Sequence, residues 1–110
     1  MGIGEARIRI PDRIARGDLI IVNAIVAHPM NTGFFRTADG QPIPAYFIKD
    51  VVVTYGGEQV AHFEWTSGIS RDPFVGFSLL ASKEAPLTVT WKDNKGGIYT
   101  QSADVKFSAA

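Results

Sequence analysis

LTVTWKDNKGGIYTQSADVKF, residues 87–107, sets the fold class. Leu87, Val89 and Trp91 alternate with Thr88, Thr90 and Lys92. After the turn, Tyr99, Gln101, Ala103, Val105 and Phe107 alternate with Thr100, Ser102, Asp104 and Lys106. A period of two with one apolar side describes a strand that lays one face on a core. KDNKGG between the two runs supplies polar turn formers and two glycines that tolerate positive φ, so residues 86–107 read as a long antiparallel hairpin.

The same reading extends toward the N-terminus. Ile8 and Ile10 face away from Arg7 and Arg9. Residues 46–55 run into YGGEQV, a turn toward Val60, and Phe63 and Trp65 alternate with His62 and Glu64. Val75, Phe77 and Leu79 mark another one-sided strand. Leu19–Ala27 differs, being almost continuously apolar; it suits a central strand covered on both sides, or one partly used at an interface. About seven strands with short loops and no amphipathic helix favour an all-β, immunoglobulin-like antiparallel sandwich, with a small barrel as the alternative.

At 110 residues the chain makes one domain, residues 1–110, with one core. Apolar residues make up 45% of it, and eleven basic residues balance eleven acidic ones, which excludes disorder and gives no basic face for nucleic acid. Cysteine is absent, so disulfides, thiolate catalysis and cysteine-ligated metal centres are excluded. MGIGEARIRIP lacks the apolar stretch of a signal peptide and no run is long enough to cross a bilayer as a helix; read alone, the sequence points to a soluble cytoplasmic chain without membrane insertion.

Chemistry-bearing residues are sparse. There are two histidines, His28 in HPM at the end of the apolar run and His62 in AHFEW. Imidazole and thioether suit copper, so His28 and Met30, with His62, form an alternative metal-binding reading, in a small periplasmic copper-binding or redox-associated sandwich. No short ligand spacing supports it. A hydrogen-bonded corner for His28, a polar edge residue for His62 and a gap-filling Met30 account for the same residues, and no metal or other cofactor is expected. Ser70, Arg71 and Asp72 share a loop, but no serine sits in a nucleophile elbow and no carboxylate pair is placed for acid–base work, so no catalytic residue is assigned.

The loops carry more information than the charges. Phe34 and Phe35 follow Gly33, and RTADGQPIPAYF then brings Pro42, Pro44, Tyr46 and Phe47. Aromatic residues at this density serve either partner contact or internal packing. GISRDPFVGF is the second unusual connection, with Arg71, Pro73 and Phe74 at its turn.

HPMNTGF, GQPIPAYFI, SGISRDPFVGFSL and VTWKDNKGGIY, in this order over about residues 5–107, are similar to the SoxZ family, the smaller subunit of the SoxYZ thiosulfate-oxidation carrier complex. The resemblance implies a noncatalytic subunit paired with SoxY, whose C-terminal cysteine carries the sulfur intermediates. It implies transient docking with other Sox enzymes, and a periplasmic location reached by export with a signal-bearing SoxY, in place of the cytoplasm. On this reading His28, Met30, Phe34, Phe35, Tyr46, Phe47, Arg71, Pro73 and Phe74 are the candidate partner-binding residues, with Pro29 fixing the strand exit and Gly33 permitting the bend.

Overall fold

Each apolar alternation resolves into a strand, and the strands assemble into two antiparallel sheets. The computed structural model describes residues 2–34 and 36–108. Its seven strands are β1 (Ala6–Arg9), β2 (Leu19–Val26), β3 (Ile48–Tyr55), β4 (Glu58–Glu64), β5 (Phe74–Leu80), β6 (Ala85–Asp93) and β7 (Ile98–Val105). One sheet runs β1-β2-β5 and the other β4-β3-β6-β7. This is the all-β, immunoglobulin-like sandwich that the alternation predicts. No helix among the described residues is long and apolar enough to cross a membrane.

The core forms where the inward rows meet. Ile20, Val22, Ala24 and Val26 from β2, with Val75 and Leu79 from β5, face Val51, Val53 and Tyr55 from β3 and Leu87, Val89 and Trp91 from β6. Burying a branched aliphatic side chain contributes about 1.5–3 kcal/mol, so these rows fix both the pairing and the register, because a slip of one residue would turn them toward water. The expected hairpin is β6–β7, paired from Ala85↔Val105 to Lys92↔Ile98. YGGE closes β3 onto β4 through Gly56 and Gly57, at φ 62° and 85°, the positive-φ pair that a two-residue hairpin loop requires.

β2 is central, hydrogen-bonded to both β1 and β5. No element among the described residues covers its outer side. Leu19 and Ile21 are 69% and 56% exposed, and Phe74 and Leu80 of β5 are 67% and 56% exposed beside them. The continuous apolar run is therefore, among the described residues, a strand with one face in the core and the other open, and not a strand covered on both sides.

Between β2 and β3, residues 31–34 and 36–46 leave the sandwich as an arm. Asn31 and Tyr46 form an antiparallel bridge at its base, Arg36 and Pro42 form another farther out, and Arg36–Pro42 are exposed. Phe34 is 87% exposed. Phe35 lies outside the described residues.

Candidate functional site

The end of the sandwich from which the arm springs holds a buried polar cluster assembled from four distant parts of the chain. His28, just after β2, is 1% exposed, and Asp93, at the end of β6, is 2% exposed. His28 Nε2 lies 3.6 Å from Asp93 Oδ2, too far for a hydrogen bond and close enough for a charge contact. Tyr99 of β7 donates its hydroxyl to Asp93 Oδ2 at 2.6 Å, and the Tyr46 hydroxyl is 3.1 Å from that of Tyr99. The Tyr46 ring packs on the imidazole at 4.4 Å between centroids, with Lys95 Nζ 4.4 Å from the centroid of the same tyrosine ring.

Backbone donors hold the carboxylate in place. Asp93 Oδ1 accepts the N–H groups of Lys95 at 2.9 Å and Gly97 at 2.7 Å, folding the KDNKGG turn around it. Desolvation, the largest influence on Asp93, pushes its pKa upward; the hydrogen bonds from Tyr99, Gly97 and Lys95 and the nearby imidazole together outweigh it and hold the carboxyl below its ordinary range. Burial and the adjacent carboxylate push the Tyr99 hydroxyl up, so it stays a protonated donor.

His28 is wired on its other side to the HPM and RDP turns. Its Nδ1 accepts the Met30 N–H at 3.1 Å, which assigns the proton of the neutral ring to Nε2, facing Asp93. Burial lowers the imidazole pKa against the opposing pull of Asp93 and Asp72. Asp72 Oδ1 accepts the His28 N–H and the Asp72 N–H donates to the His28 carbonyl, both at 2.9 Å. The Met30 sulfur accepts the Ile48 N–H at 3.2 Å. Met30 and Asp72 both adopt left-handed backbone, φ 51° and 49°, at a cost of order 1–3 kcal/mol each for residues other than glycine, and these reciprocal bonds hold them there. Gly33, at φ 87°, makes the bend assigned to it.

HPM is therefore a corner. The atoms the copper reading needs are engaged internally: Nδ1 and the Met30 sulfur accept backbone N–H groups, and Nε2 faces Asp93. His62 is not with them; it stands on the exposed outer face of β4 beside Asp50. Nor does the cluster offer nucleophilic chemistry, since His28 is sealed from solvent and the Tyr99 hydroxyl is held in the protonated state.

The candidate partner residues fall into three groups. His28, Met30 and Pro73 are buried, so a partner would meet the surface they hold and not their side chains. Tyr46 and Phe47 are half-buried at the base of the arm. Phe34, Arg71 and Phe74 are exposed, on the arm, the RDP turn and the outer face of β5 respectively. Asp93, Tyr99 and Asp72 were not singled out by sequence reasoning as members of this cluster, although the position of Asp93 in a glycine-containing turn is a signal for backbone capture.

Gly97 shows how closely this end is fitted. A Cβ at this position would overlap the Asp93 carboxylate and the Tyr99 hydroxyl. Both groups are held by hydrogen bonds and cannot easily yield. Gly97→Ala should cost about 1–3 kcal/mol in chemical denaturation, and an unchanged midpoint would show that the cluster is loosely packed.

The comparisons agree with this architecture. The family model described as "Sulphur oxidation protein SoxZ" matches residues 8–104. Among solved structures, a superoxide reductase (neelaredoxin) from Ignicoccus hospitalis is 16% identical with a TM-score of 0.72, covering 96% of this chain and 82% of that one. The sulfur carrier protein SoxY from Chlorobium limicola f thiosulfatophilum is 17% identical with a TM-score of 0.61, covering 92% of this chain and 73% of that one. At such identities these two likenesses speak for the fold alone. No curated protein matches the chain.

Proposed function

The chain belongs to the SoxZ family, and on that premise we propose that it is the noncatalytic half of a SoxYZ sulfur carrier, built to hold and present a SoxY-like companion whose C-terminal cysteine bears the sulfur intermediates of thiosulfate oxidation. The observation that carries the reading is the open face of the β1-β2-β5 sheet. Leu19, Ile21, Phe74 and Leu80 project from it, and Arg7 and Arg9 flank a shallow groove that Ile25 and Phe74 help to line. An apolar centre with a charged edge is the anatomy of a stable protein interface, which buries roughly 1,200–2,000 Å² in total.

The companion is of matching build, because SoxY has this same sandwich fold. Two such sheets can pack face to face, with side chains interdigitating across about 10 Å. The arm and the RDP turn, with Phe34 and Arg71 exposed, then serve transient docking of the oxidation enzymes. The His28–Asp93 cluster fixes the base of that arm and takes no part in chemistry. The pair works in the periplasm, exported through the signal of the companion.

Division of labour follows from composition. A thiolate is the nucleophile for persulfide and thiosulfonate formation, and this chain has no cysteine. When the purified pair is incubated with thiosulfate and the oxidation enzymes, intact-mass analysis of the separated subunits should show sulfur adducts on the companion and an unchanged mass for this chain. A sulfur adduct on this chain that is passed on to another enzyme would refute the assignment.

A further inference from the structure

The outer face of the other sheet carries a group that the carrier reading does not use. Asp50 on β3, and His62 and Glu64 on the edge strand β4, point away from the core on the same side. Their ligand atoms, one from each residue, all lie within 4.8 Å of one another. Asp50 and Glu64 are direct cross-strand partners, and His62 pairs with Val52 one row along. His62 Nε2 is 3.0 Å from Asp50 Oδ1.

The charges are out of balance. Like charges placed directly opposite on neighbouring strands are unfavourable. Asp50 finds a partner in His62, whereas the Glu64 carboxylate has no ion-pair or hydrogen-bond partner among the described residues. Lys92 is the cross-strand neighbour of Asp50 on its other side, yet it makes no ion pair with that carboxylate within 4.0 Å. Two carboxylates thus stand beside one imidazole that partners only Asp50, a donor set that a doubly charged cation would neutralise.

We infer that Asp50, His62 and Glu64 form a binding site for one first-row divalent transition ion, zinc being the representative, with water completing the coordination. One nitrogen and two carboxylate oxygens match the mixed ligand preference of such ions. Calcium and magnesium, which take all-oxygen shells, are disfavoured by the imidazole. Zinc bonds of about 2.0–2.2 Å require the three side chains to close by a small rotation, which exposed side chains at a sheet surface can make. The site lies on the sheet opposite the open apolar face, so its existence is independent of the carrier reading.

The two histidines make the test direct. A zinc titration of the full chain at mildly alkaline pH, followed by NMR of the imidazole resonances, should move the His62 ring at one equivalent and leave the buried His28 ring in place, with half-saturation in the micromolar range. His62→Ala and Glu64→Gln, both at exposed positions, should each weaken binding at least about tenfold without altering the unfolding midpoint of the metal-free protein. Calcium or magnesium at the same concentration should leave the His62 ring unmoved. Perturbation of the His28 ring instead, wild-type affinity in His62→Ala, or saturation only at millimolar zinc would overturn the site.

Discussion

Asp93→Ala should lower the stability of the chain by about 3–5 kcal/mol, because several hydrogen-bond donors lose their acceptor at about 1–3 kcal/mol each, a large fraction of what a domain of this size possesses. The substitution removes the acceptor shared by Tyr99, Lys95 and Gly97, and it leaves buried His28 without its facing charge. Urea unfolding followed by tryptophan fluorescence reads the effect through Trp91, which is fully buried between the sheets. A loss below about 1 kcal/mol would mean that the cluster is solvated and does not close this end of the sandwich.

The same cluster gives stability a defined pH dependence. The folded-state pKa of His28 is lowered from 6.5, so the unfolded chain takes up this proton more readily. The His28 contribution is therefore complete above 6.5 and declines as pH falls from there through the folded pKa. The Asp93 pKa is also depressed, from 3.8, so its contribution is present above that value and is lost as pH falls through its folded pKa. Acid should weaken the protein in two steps, the first from His28 and the second from Asp93. His28→Gln should abolish the first step while retaining the second.

Ile21→Asp should weaken association with the SoxY-like companion at least about 30-fold, equivalent to roughly 2 kcal/mol at a buried hot spot. Ile21 lies on the outer face of central strand β2, paired with Ser78 and with the exposed side chains of Leu19, Phe74 and Leu80 on the same face. Because Ile21 is exposed in the single chain, folding should suffer much less than binding, by no more than about 1 kcal/mol of strand preference. Thr100→Asp, on the outer face of the opposite sheet, provides the control and should leave affinity unchanged. Titration of the companion against each variant separates the two. Equal affinities for wild type and Ile21→Asp would move the interface elsewhere.

Sequence periodicity was enough to find the sandwich, because one-sided alternation is imposed directly by burial; Val89 and Trp91 against Thr88 and Thr90 could hardly be read otherwise. The apolar run of β2 was ambiguous for a physical reason. Its composition is the same whether a second layer of the same chain covers the outer side or leaves it open, and only the sheet order decides between them. The site was less legible. HPM could be recognised as a corner, but its partners Asp72, Asp93 and Tyr99 stand 44, 65 and 71 positions along the chain from His28, and no local pattern announces such a meeting. Left-handed backbone at Met30 and Asp72 was equally hidden, since neither residue is the glycine that usually marks it. His62 read as a polar edge residue, and its outward placement on edge strand β4 fits that description; its proximity to both Asp50 and Glu64 emerged only with the β3–β4 register.

Mass measurement under native conditions, on this chain co-expressed with a SoxY-like companion, tests the carrier assignment most directly. The open β1-β2-β5 face predicts a single species containing both chains that persists on dilution to micromolar concentration. Two separate species at that concentration, each chain folded and carrying no trace of the other, would contradict it.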